Sequence, residues 1–206
     1  MFQNTIISNE LSIYKFFKQL NFDLYLTKPQ LNHLENISNA MISKGFKGKV
    51  SDIAEIAPAR HRTNITRFFS SSSWDETLLE KSLRTYILKL IWTRSRESKK
   101  PIYFIIDDTI SEKTKPSSNE PFFRDCKTYL GLNGYQVRNE KAIKRYLIIM
   151  LINYTYCKIY SNDSYHFNTG YKVAKKDLEK SKVIYIYEVA TNGTSINEIF
   201  KTLKLA

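Results

Sequence analysis

The chain has 206 residues, of which 42% are hydrophobic and 14% aromatic, with only 6 Gly and 5 Pro. This composition is not that of a disordered chain and supplies enough apolar side chain for one large domain or two small ones. Lys and Arg number 32 against 20 acidic residues, a formal charge of +12 with a pI near 9.5, so a polyanionic partner is expected, and nucleic acid is the commonest.

Cys126 and Cys157 are the only cysteines and form no close pair, so neither a zinc knuckle nor a disulfide framework is suggested, and a reducing cytoplasm fits best. Residues 1–7 lack a basic stretch followed by an apolar one, so no secretory signal is read. The most apolar run, residues 147–152, is too short to span a bilayer, and no membrane partner is expected. Asn64-Ile65-Thr66 matches a glycosylation acceptor that a cytoplasmic protein does not use.

In chain order, residues 1–100 read as helical. Ile13, Phe16, Phe17 and Leu20 have helical spacing. Thr27 and Pro29 mark the start of a second helix carrying Leu31, Leu34, Ile37 and Met41 on one stripe, with Gly45 placed to end it. Ser51 is positioned to cap a short helix through Ile56, and another is expected over residues 63–69. Two short helices about a break, flanked by Arg60, Arg62 and Arg67, resemble a helix-turn-helix in outline. The same pattern also fits a plain helical pair, with Ile65, Phe68 and Phe69 as core and the arginines as a solvated face.

Ser73 and Glu76 fit a capping box for an amphipathic helix through Trp92, followed by a basic connector over residues 94–100. Residues 40–100 hold 13 basic and 6 acidic residues, so much of the positive charge is concentrated there. From Pro101 the pattern changes. Residues 102–106 are a continuous apolar run of β-formers ending in Asp107-Asp108-Thr109, as in a strand covered on both faces. A helix is expected from Pro121, with Phe122, Phe123, Cys126, Tyr129 and Leu130 on one side. A long helix should reach Tyr160, with a loop over residues 161–170. Residues 183–189 suit a strand or a helix, Asn192-Gly193 a turn, and residues 196–203 a short helix.

An apolar strand ending in acid belongs to two enzyme classes. The P-loop reading needs GxxxxGK[ST], but Ser43 stands where Gly is required and Val50 where a magnesium-binding hydroxyl is required, so it fails. The other class holds Mg²⁺ on carboxylates, which needs no His or Cys. His33, His61 and His166 have no metal-ligand spacing and read as ordinary structural or surface residues.

Two stretches carry a specific resemblance. One runs from His61-Arg62-Thr63-Asn64-Ile65-Thr66-Arg67-Phe68-Phe69 through Trp74 to Phe104-Ile105-Ile106-Asp107-Asp108-Thr109 and Lys113. The other is Glu120 followed by Phe122-Phe123-Arg124-Asp125-Cys126-Lys127 and Tyr129-Leu130-Gly131-Leu132, with Tyr135-Gln136-Val137-Arg138 and Ala142-Ile143-Lys144-Arg145-Tyr146. Together they resemble the bacterial DDE insertion-sequence transposases of the ribonuclease-H-like superfamily, over residues 27–160.

The resemblance implies Asp108 as the first catalytic carboxylate and Glu120 as the third, with Lys127 seven residues on to contact phosphate. Asp108 and Glu120 would be the metal ligands for Mg²⁺ or Mn²⁺. Arg60, Arg62, Arg67, Arg124 and Lys127 would contact double-stranded DNA at element ends. The family separates its first Asp from its Glu by a long segment holding the second catalytic Asp. Here residues 109–119 are all that intervene, so this reads as an internally shortened copy whose activity as an enzyme is uncertain.

The expected fold is mainly α with a small β remnant. A helical, basic DNA-binding region over residues 1–100 would precede a truncated ribonuclease-H-like α/β domain over residues 101–160 and a tail over residues 161–206. The expected role is transposase-related, cytoplasmic and nucleoid-associated. The alternatives are a non-catalytic DNA-binding protein that interferes with an intact transposase, by site occupancy or by assembly with it or with itself, and a decayed gene product.

Overall fold

In the computed structural model the chain is described over residues 12–56, 61–102, 121–135, 139–160 and 166–203, and every regular element there is helical. Helix α1 (Ile13–Gln19) starts where the Ser12 hydroxyl accepts from the Lys15 N–H at 3.2 Å, and it buries Ile13, Phe16 and Phe17. Helix α2 (Lys28–Ile42) begins after Thr27, whose N–H donates to Gln30 Oε1 at 2.9 Å. Its Leu31, Leu34, Ile37 and Met41 are buried as one stripe.

Helices α3 (Val50–Ile56) and α4 (Arg62–Ser70) pack on each other and on α2. Helix α5 (Glu76–Ser98) follows a short corner, and α6 (Pro121–Tyr129) begins at the proline, whose fixed φ suits a first helical turn. Helix α7 (Glu140–Tyr160) is the centre of the fold and touches α2, α4, α5, α6 and α8 (Phe167–Thr191). Tyr146, Ile149, Met150, Ile152 and Cys157 are all fully buried, on more than one side of the helix. Each large apolar chain buried this way contributes about 1.5–3 kcal/mol. Packing therefore holds α7 in place more than helix propensity does. Helix α9 (Ile196–Leu203) folds back on α8.

The loop between α2 and α3 crosses the turn between α6 and α7 with backbone against backbone. Gly48 has φ +99° and Gly131 φ +68°, and a Cβ on Gly48, Gly131 or Gly134 would run into main-chain atoms of the opposite segment. The Tyr146 hydroxyl donates to the Gly48 carbonyl at 3.4 Å beneath the crossing.

Several sequence expectations are corrected. Helix α5 continues through residues 94–98 to Ser98, where a basic connector was expected. Its N-cap is Asp75, whose carboxylate accepts from the Thr77 N–H at 2.8 Å. Ser73 instead accepts from Gln30 Nε2 at 3.3 Å and ties the corner to α2. Helix α3 starts at Val50, before Ser51, because Asp52 turns back to accept from the Lys47 and Lys49 N–H groups at 2.9 and 3.0 Å. Residues 167–170, expected as loop, form the first turn of α8. Residues 183–189 are helical within α8, where their aliphatic and tyrosine side chains serve a helix as readily as a strand. The mainly helical reading holds. The described residues contain no strand, and of the apolar run at 102–106 they include only Ile102, which is outside any helix or strand.

Candidate nucleic-acid interface

Helix α4 divides its residues cleanly. Ile65, Phe68 and Phe69 are buried, while Arg62, Thr63, Asn64, Thr66 and Arg67 face outward. His61 caps the helix, its Nδ1 accepting from the Thr63 N–H at 3.3 Å. The Thr66 hydroxyl donates back to the Arg62 carbonyl at 3.1 Å. Arg62, Asn64 and Arg67 have no side-chain partner among the described residues. Two guanidinium groups and an amide, unengaged among the described residues on one short helix, are donors of the type that phosphate and base edges accept from.

What holds α4 in place is Arg145, a fully buried arginine from the middle of α7. Its Nε donates to Glu76 Oε2 at 2.9 Å. Its Nη1 donates to the Phe68 and Phe69 carbonyls at 3.2 and 3.1 Å, and its Nη2 to the Ser72 carbonyl at 2.9 Å and to the Trp74 carbonyl. All the N–H groups of the guanidinium are thereby used. The Trp74 ring lies 4.2 Å from Arg145 Cζ, stacks on Phe68 at 5.1 Å, and donates its indole N–H to the Phe68 carbonyl at 2.9 Å.

The cation sits at the C-terminal end of α4 and the Glu76 carboxylate in the first turn of α5, each at the end of a helix dipole that favours its sign. Burial pushes the Glu76 carboxyl up, but hydrogen bonds from its own backbone N–H and from Arg145 outweigh this and hold it below the usual range. In the sequence Arg145 stands within the Ala142-to-Tyr146 stretch, with no role of its own expected. Its withdrawal into the core was signalled only by its place in the buried i, i+3, i+4 row with Ala142, Tyr146 and Ile149.

The remaining expected site residues fall in two groups. On α6, Arg124 and Lys127 are exposed, and Arg124 pairs with Asp125 at 3.4 Å. Arg60, Asp108 and Glu120 lie outside the described residues, so neither the Asp108–Glu120 pair nor the Glu120–Lys127 face is placed. Among the described residues there is no group of three or more His, Cys, Asp or Glu able to hold a metal ion. The thiols offer no nucleophile at neutral pH. Cys126 is pushed up to about 12 by burial and the neighbouring Asp125, and Cys157, completely buried, goes higher still.

Fold and surface thus define a helical protein with an outward cationic helix pinned to its core by a buried arginine. No family model, no curated protein and no solved structure matches the chain. No described helix is long and apolar enough to cross a membrane.

Proposed function

We propose that this chain is a DNA-binding protein related to the bacterial DDE insertion-sequence transposases, and that its cutting site is incomplete. The observation that carries the DNA-binding half is the outer face of α4. Arg62, Asn64 and Arg67 are exposed and unengaged among the described residues, on a helix whose far end is locked by the Arg145 clamp. A rigid element presenting free cationic forks suits duplex DNA, where phosphate contacts set the register and a few side chains reach the grooves.

The transposase kinship rests on the motifs around Asp108 and around Glu120-to-Lys127. In that family a bound divalent ion activates the attacking water or 3′-hydroxyl. Asp108 and Glu120 would be its ligands here, and no catalytic step is assigned to them. The segment that would bring the second catalytic Asp is missing from residues 109–119. The chain therefore binds element-end DNA without cutting it.

The test is incubation of the purified chain with duplex DNA from the flanks of its own gene, with Mg²⁺ or Mn²⁺, scoring retardation and nicking in the same samples. Retardation without nicks is expected, weakened in an Arg62→Ala, Arg67→Ala double variant. Absence of any duplex binding at low salt sinks the DNA-binding half. Nicking that disappears in Asp108→Ala sinks the claim of an incomplete site.

A further inference from the structure

Helix α5 is apolar on two opposite sides, and only one of them meets the core. Leu79 and Leu83 are buried, with Tyr86 and Ile87 packed beside them. At about 100° per residue, Leu88 and Trp92 project from the opposite face, one turn apart, with Ile91 beside them. They are 40%, 58% and 37% exposed for Leu88, Trp92 and Ile91.

This ridge lies in a field of positive charge. Residues 81–100 contain seven basic residues and one acidic, Glu97, which Arg94 engages at 4.0 Å. Lys89 stands one turn before Trp92 and Arg96 one turn after it. Neither has an ion-pair partner among the described residues, nor do Lys81, Arg84, Lys99 and Lys100.

An exposed indole bracketed by two cations with no ion-pair partner among the described residues suits an occupant that is both anionic and flat-faced. Duplex DNA supplies the charge, but its base faces are already stacked on one another. A single strand offers phosphates and uncovered base faces together, and aromatic side chains in cationic grooves bind it by stacking. We propose that the outer face of α5 binds single-stranded DNA, one base stacking on Trp92 while the neighbouring phosphates meet Lys89 and Arg96. The proposal deepens the reading that the chain binds DNA and rests on it for the partner's class.

The chain has only two tryptophans, so its fluorescence is a direct readout. Trp74 is 3% exposed beneath Arg145, and Trp92 is open. Oligothymidylate titrated into the full chain should quench the exposed-tryptophan emission. Trp92→Leu should abolish the quench and weaken oligothymidylate binding roughly tenfold, with Trp92→Phe retaining most of the affinity. Duplex affinity should stay within about twofold in both variants, since the ridge faces away from the core and its loss leaves the fold intact.

Unchanged oligothymidylate affinity in Trp92→Leu, or no oligothymidylate binding at all, overturns the proposal even where duplex DNA still binds. Trp92-dependent oligothymidylate binding without duplex binding upholds it and removes the element-end reading instead. Self-association that vanishes in Trp92→Leu, with oligonucleotide affinity unaltered, overturns it in favour of a contact between copies of the chain.

Discussion

Arg145 shows how much a single buried charge can decide. Removing it strands the Glu76 carboxylate and the main-chain carbonyls it satisfies, and losing one partner from a buried pair costs about 3–5 kcal/mol. Arg145→Met, which keeps the bulk, should lower stability in urea by about that amount, whereas Lys144→Met, at the exposed end of a pair with Glu140, should leave the urea midpoint essentially where it is. Glu35 presents the opposite case. Burial pushes its carboxyl from the usual 4.5 to about 7. Because the folded value lies above the unfolded one, the folded state holds the extra proton. The stability this brings is complete below pH 4.5 and is lost as pH rises through about 7. Glu35→Gln should therefore raise the melting temperature at pH 8 by several degrees and leave it nearly unchanged at pH 4.5. A gain at pH 4.5 as large as at pH 8 would remove the carboxyl as the cause.

Among elements, helix existence was legible in the sequence far better than helix limits. The stripe Leu31, Leu34, Ile37 and Met41 and the Thr27-Pro29 start specify α2 directly. The end of α5 was not legible, because Arg and Ser in residues 94–98 suit a solvated helix as well as a connector. Residues 183–189 were ambiguous because Ile, Val and Tyr satisfy both periods over so short a run. The glycine crossing was not legible at all, since nothing local marks two distant backbones that touch. It can be tested against Gly45, which also has positive φ but open space around its Cβ position. Gly45→Ala should lose about 1 kcal/mol from backbone strain alone. Gly48→Ala should lose at least about 3 kcal/mol, because it adds a clash with the Gly131 carbonyl. Equal losses at the two positions would mean the segments separate easily.

For the whole molecule, the positive charge raised the expectation of an anionic partner, and the structure spreads exposed cations over α4, α5, α6 and α8 while burying Arg145. Composition counts charges without saying which are solvated, so the burial was beyond its reach. A DNA complex held by these exposed cations should weaken steeply with salt, and the double variant at Arg62 and Arg67 should flatten the slope of log K against log salt by about 2. A slope that does not change places the phosphate contacts elsewhere, with Arg124 and Lys127 on α6 the next to substitute. The carboxylates singled out in the sequence, Asp108 and Glu120, were found by motif alone. Both lie outside the described residues, so their relation to the rest of the fold is not placed.

Each hydrogen bond from Arg145 spans about seventy residues of chain. During synthesis at some 5–20 residues per second, the turn from α4 to α5 leaves the ribosome well before the arginine that completes it. For those seconds the carbonyls of Phe69, Ser72 and Trp74 lack the donors that Arg145 brings, Phe68 has only the Trp74 indole N–H, and Trp74 has no cation above its ring. Helix α4 thus reaches its final stiffness late, when α7 arrives, and a message cut short before codon 145 would yield helices without the bolt that fixes them.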